Sequence, residues 1–287
     1  MQVTTKTLGQ GRLTVQITLY QPTAIADFHQ DVTRPLAIIL PGGGFTFRSQ
    51  REEEPVALAY AAQGFAAVVV HYRLVDQGPV LPTALWQIGL VVQHFRHHAA
   101  EYRISPEHIV LAGFSAGGYL GALYAGLWIT DDLAYQVGCP TAELRVNALA
   151  LAYPLIGLRL GWPTDPKLAR AVAGDWPAHE ADQVVTAQNP PTFIWTTQTD
   201  ELVPVANTLT YLQALTRAGV SVRATIYDHG LHGLSLARGM TAFPKRFRED
   251  DPAFGAAFIQ PDIATWFGDE MAWLDRRWQL DDFWRNQ

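Results

Sequence analysis

Residues Gly113-Phe114-Ser115-Ala116-Gly117 read G-x-S-x-G, and their flanks give the pattern meaning. Upstream, His108 to Ala112 (HIVLA) is a short apolar, β-branched run. Downstream, Gly118 to Ala125 (GYLGALYA) suits a buried helix. A serine on such a strand-turn-helix corner is held on a strained turn with its hydroxyl pushed out of the sheet. Small residues at 113 and 117 let the helix and strand backbones approach each other. A serine hydroxyl is a poor nucleophile at neutral pH. It needs a base, a group that orients the base, and fixed N–H donors for the oxyanion that forms. The competing reading of the same five residues is a glycine-rich turn that only connects two elements.

The other parts of such a site occur at comparable places. Gly42-Gly43-Gly44 follows the apolar run PLAIIL, Asp200 follows TFIWTT, and His232 follows the run from Val222 to Asp228. In a parallel sheet, ligand chemistry collects at the carboxyl ends of strands. His232 is the candidate base and Asp200 the group that holds its tautomer. The backbone amides of Gly43, Gly44 and Ala116 are the candidate oxyanion donors. Each has an alternative: Asp200 as a helix N-cap, His229 as the base in place of His232, and the triple glycine as a flexible turn. Phe45, Phe47, Trp162 and Trp176 are candidates for lining a substrate cleft, although aromatics commonly serve packing. His94 and His98 share a helix face at i, i+4, but cations near a helix C-terminus are favourable without a metal, and no metal or cofactor is assigned. Glu52-Glu53-Glu54 reads as a solvated first helical turn. Arg48 and Arg73 lie near strand ends without an assigned role.

The elements that must position these groups alternate. Strands are expected at 12–20, 35–40, 66–72, 108–113, 146–153, 192–197 and 222–228. Helices are expected after Pro55, over 83–100, after Ser115, from Pro204 to Gly219 and over 262–278. The pattern predicts an α/β fold with a mostly parallel sheet and helices on both faces. Residues 155–190, proline-rich with two tryptophans, read as an irregular short lid, and 239–261 as a surface excursion. The whole of 1–287 is expected to form one domain.

Of 287 residues, 48% are apolar and 17% charged, enough for a large core. A net charge of −6 without a basic stripe argues against a nucleic-acid partner. Cys139 is the one cysteine, so no intrachain disulfide can form. No apolar h-region stands at 1–11 and no apolar run nears transmembrane length. The expectation is therefore a cytoplasmic protein without a membrane partner. Tryptophans near the C-terminus, such as Trp284, are expected to be exposed and would suit a homo-oligomer interface.

Together, PGGGF (41–45), HYR (71–73), ISPEHIVLAGFSAGG (104–118), YP (153–154), PPTFIWTTQTDELVPV (190–205) and HGL (232–234) resemble the esterases and lipases of the α/β-hydrolase superfamily. The resemblance is to the acetyl esterase and acetylxylan-esterase-like group in particular, with Pro41 where many lipases of the wider clan carry histidine. It implies an α/β-hydrolase fold of about eight strands and hydrolysis of carboxylic esters of small molecules through an acyl-enzyme. It also implies Ser115, Asp200 and His232 as a triad and Gly43, Gly44 and Ala116 as the oxyanion hole. Only about 35 residues precede the triple-glycine strand. With the short insert at 155–190, this leads to the expectation of a shallow pocket and short, acetyl-type acyl groups, with acetylated carbohydrates as one substrate class. The alternatives are an amide-cleaving hydrolase on the same fold and a non-catalytic binding protein that keeps it.

Overall fold

A computed structural model of the chain describes residues 1–24, 27, 32–248 and 250–287. The strands are β1 (Gln2–Gln10), β2 (Leu13–Gln21), β3 (Arg34–Leu40), β4 (Ala66–His71), β5 (Ile104–Phe114), β6 (Ala148–Ala152), β7 (Thr192–Thr197) and β8 (Val222–Tyr227). They form one sheet in the order β1-β2-β4-β3-β5-β6-β7-β8. β1 and β2 pair antiparallel, β2 pairs antiparallel with β4, and every pair from β4 to β8 is parallel. The α-helices are α1 (Glu54–Ala62), α2 (Thr83–His97), α3 (Ala99–Tyr102), α4 (Ala116–Leu127), α5 (Asp131–Val137), α6 (Pro166–Ala173), α7 (Ala206–Arg217), α8 (Trp266–Trp278) and α9 (Leu280–Arg285).

The central strands read as continuous apolar runs because both of their faces are covered. Along β3, Leu36, Ile38 and Leu40 point into a core shared with Ile88 and Val92 of α2, Leu120 of α4 and Leu215 of α7. Ala37 and Ile39 point the other way, toward Val56 and Tyr60 of α1 and Trp266, Trp273 and Leu274 of α8. β6 repeats the alternation, with Leu149 and Leu151 on the first face and three alanines on the second. From β3 the chain builds β4 on one side and β5 on the other. That reversal opens a crevice at the carboxyl ends of β3 and β5.

Several elements differ from the sequence expectation. β1 was not expected: its mostly exposed, threonine-rich residues show little pattern until they pair with β2. The helix over 83–100 breaks at His98, the C-cap of α2, whose N–H and Nδ1 both reach the His94 carbonyl (3.0 and 2.9 Å). Residues 155–190 are not wholly irregular, since α6 starts on Asp165, whose side chain caps the Lys167 N–H. The C-terminal element begins as a 3-10 turn (Ile263–Thr265), and α9 follows α8. Trp284 is half-buried rather than exposed, and a β-carbon at Gly64 would lie 2.9 Å from its ring. Among the described residues, no helix is long and apolar enough to cross a membrane.

Candidate active site

Ser115 sits at φ 51°, ψ −115° between β5 and α4. Its N–H donates to the Ala152 carbonyl, and its carbonyl accepts from the Tyr119 and Leu155 N–H groups (3.1, 3.1 and 3.2 Å). These bonds hold a strained turn that costs about 1–3 kcal/mol. Gly117 is required here: a β-carbon would collide with the Leu40 carbonyl oxygen, so the α4 backbone rests directly on the end of β3.

Asp200 leaves β7 in a turn that its own carboxylate closes. Oδ1 accepts from the Leu202 and Val203 N–H groups at 2.9 and 2.8 Å. Leu202 and Val203 precede α7, whose N-cap is Val205, so Asp200 closes a turn rather than capping the helix, and Oδ2 is left free for His232 Nδ1 at 2.7 Å. His232 Nε2 then lies 2.7 Å from Ser115 Oγ. Because a carboxylate only accepts, Nδ1 carries the proton and Nε2 is left to accept from the serine. The Asp200 side chain is fully buried and that of His232 is 13% exposed, so this series of hydrogen bonds is sheltered but open at the histidine. The loop carrying His232 is tied back to β7, where Thr197 Oγ1 and Thr199 Oγ1 donate to the Gly230 carbonyl (2.9 and 3.0 Å). His229 is elsewhere: its exposed ring bridges Asp228 and Asp262, which raise its pKa, the Asp228 hydrogen bond most.

The glycine turn faces the serine. Gly43 adopts φ +120°, a conformation closed to other residues, and its carbonyl accepts from the Thr46 and Phe47 N–H groups (3.2 and 3.3 Å). Among the described residues, no group accepts a hydrogen bond from the Gly43, Gly44 or Ala116 N–H. Phe45 is fully buried, edge-on to Tyr119 at 5.7 Å. Trp162 packs on Phe45 at 6.1 Å, and a β-carbon at Gly44 would lie 3.3 Å from its ring. Phe47 is 59% exposed beside the turn. Trp176 packs against the same apolar core as Phe45 and Trp162, but among the described residues no ring pair joins it to Phe45, Phe47 or Trp162.

Sequence reasoning missed a buried polar link behind the site. Glu52 is 2% exposed, which corrects the reading of 52–54 as a solvated turn. One of its oxygens accepts from the Gly42 N–H and the other from the Tyr153 hydroxyl, both at 2.6 Å. Tyr153 also accepts from the Ser235 N–H (2.9 Å), and its ring stands edge-on to His232 at 5.1 Å. One carboxylate therefore ties the glycine turn to the wall behind the histidine. Burial pushes the Glu52 pKa up, opposed by the Tyr153 and Gly42 hydrogen bonds. Burial and then Glu52 keep Tyr153 a neutral donor. Seven described non-glycine residues have positive φ, and Phe45, Ser115, Tyr153 and Ser235 are four of them. Such strain gathers where surrounding structure enforces it.

This sheet order, with a serine on the central strand-to-helix corner, defines an α/β-hydrolase. A family model described as BD-FAE matches residues 23–159. The carboxylesterase Cest-2923 of Lactobacillus plantarum is 34% identical, superposes with a TM-score of 0.87, and is matched over 96% of this chain and 98% of its own. An acetylxylan esterase of Xylanibacter ruminicola is 30% identical over 217 residues, and endo-1,4-beta-xylanase B of Butyrivibrio fibrisolvens is 28% identical over 227. The matches cover 69% and 75% of this chain but 40% and 35% of those two proteins. The chain belongs to the carboxylesterases of the esterase/lipase superfamily.

Proposed function

We propose that this chain is a serine carboxylesterase that hydrolyses short-chain acyl esters of small molecules through an acyl-enzyme. The hydrogen-bonded series Asp200–His232–Ser115, with both links at 2.7 Å, carries this reading. In the first step His232 Nε2 takes the Ser115 proton as Oγ attacks the ester carbonyl. The oxyanion is met by the amides of Gly43, Gly44 and Ala116. His232 then gives its proton to the departing alkoxide, and the acyl group stays on Ser115. Water, deprotonated by the same imidazole, repeats the sequence and releases the acid. Asp200 stabilises the imidazolium at each stage.

The short-acyl preference rests on Trp162. Its ring lies against Gly44 and Phe45, so the space beside the oxyanion donors is bounded by rigid aromatic surface. The names of the acetylxylan esterase and xylanase relatives favour acetylated carbohydrates as one substrate class.

The test is hydrolysis of p-nitrophenyl esters from acetate to octanoate. Turnover should peak at the short chains, and Ser115→Ala should lower kcat by about 10⁶-fold. Trp162→Ala should move the optimum toward longer chains. Retained turnover in Ser115→Ala would remove the proposed nucleophile, and faster cleavage of matched anilides would replace the ester reading with an amide one.

A further inference from the structure

Arg48 and Arg73, which carried no assigned role in the sequence, line one and the same cavity. A cavity of about 470 Å³ opens between the β1–β2 hairpin and the first turn of α2. Arg12, Arg48, Arg73 and His71 line it, with threonine and glutamine side chains between them and no aspartate or glutamate. Among the described residues, none of the three guanidinium groups forms an ion pair. Arg48 spends one Nη1 donor on the Tyr72 carbonyl (3.1 Å), and Arg73 donates through Nη2 to the Gln77 carbonyl. Arg73 Nε is buried without a partner. Glu53 lies within electrostatic reach of Arg48 but does not line the cavity.

Three cations that form no ion pair among the described residues, facing one space in a chain of net charge −6, are a local reversal of the overall field. Guanidinium forks suit the oxygens of phosphate and carboxylate groups. A single carboxylate balances one of the three charges, whereas a phosphate monoester brings roughly −1.5 to −2 near neutrality. The cavity falls within the range of about 300–1,000 Å³ typical of small-molecule sites, so it also admits the organic part of such a ligand. The amino end of α2, entered at Thr83, borders the cavity and adds a partial positive charge.

We propose that this cavity is a binding site for a phosphate monoester of a small molecule, separate from Ser115. Isothermal titration calorimetry of the full chain with glucose 6-phosphate, inorganic phosphate and glucuronate at constant ionic strength tests it without reference to ester turnover. Glucose 6-phosphate should bind at one site per chain, more tightly than the other two. Arg48→Gln with Arg73→Gln should weaken binding by roughly 100-fold, since each substitution removes a charge-assisted contact. Arg12 is exposed and makes no hydrogen bond with the described residues, so Arg12→Gln leaves the fold intact and should weaken binding about tenfold. Absence of saturable binding by glucose 6-phosphate overturns the proposal, as does binding unaffected in Arg12→Gln. Equal or tighter binding of inorganic phosphate or glucuronate overturns the monoester assignment.

Discussion

The carboxyl end of β7 and the α8 side of the core each bury a carboxyl group, and they treat it differently. Asp200 has three donors on its two oxygens: the N–H groups of Leu202 and Val203, and His232 Nδ1. Glu270 has one, the Tyr60 hydroxyl at 2.5 Å, and its second oxygen is buried without a partner. Burial accordingly pushes the Glu270 pKa up to about 8, against the pull of the Tyr60 hydrogen bond. Glu52 lies between these cases, equally deep but with one donor on each oxygen. Depth alone therefore does not decide whether a buried carboxyl can work as an anion; the donors built around it do.

Breaking the best-supplied carboxylate should have the largest effect. Asp200→Asn keeps the shape and the turn, but an amide nitrogen cannot accept from Nδ1–H, so the imidazole is left in the wrong tautomer. We expect kcat on p-nitrophenyl acetate to fall about 10⁴-fold, with KM nearly unchanged. More than a tenth of wild-type turnover would separate Asp200 from the hydrogen-bonded series. Glu52→Gln should cost less. One amide oxygen can serve only one of the two donors, so either the Gly42 N–H or the Tyr153 hydroxyl loses its acceptor. The glycine turn then loosens, and kcat should fall roughly tenfold to a hundredfold. Glu52 acts through position, so the loss should fall on kcat rather than KM, and Glu52→Asp should restore only part of it. A change confined to KM would contradict the link.

The sequence makes some of these roles visible and hides others for a physical reason. Ser115 is legible because its corner is local: apolar strand, small residues and helix lie within one short stretch. Asp200 and His232 are legible because each follows an apolar run, and strand ends converge in a parallel sheet. Glu52 is hidden because it stands in an acidic triplet that looks solvated, and its burial depends on Tyr153, 101 positions away. Trp162 and Trp176 are the same residue in one proline-rich segment, yet only the first packs on the glycine turn. Nothing local separates them, because the difference arises from how the segment folds back over α4. β1 is equally opaque: its edge position leaves most of its side chains in solvent, so its pattern carries no apolar signal.

The smallest effect on turnover belongs to Glu270, where the comparison predicts a change in stability alone. An unfolded glutamate titrates near 4.5, whereas the folded chain holds this proton up to about 8. Between those values the native state binds more protons than the unfolded state, so stability falls as pH rises. The contribution is complete below about 4.5 and gone above about 8. Glu270→Gln mimics the protonated carboxyl at every pH and removes this slope. Melting temperatures from pH 5 to pH 9.5 should therefore diverge, with the variant about 4 °C or more above wild type by pH 9 and the gap constant beyond. At pH 7, kcat/KM should be the same in both proteins, because Glu270 touches neither the hydrogen-bonded series nor the glycine turn. Parallel melting curves would mean that Glu270 has donors enough to stay ionised, and the contrast with Asp200 would fail.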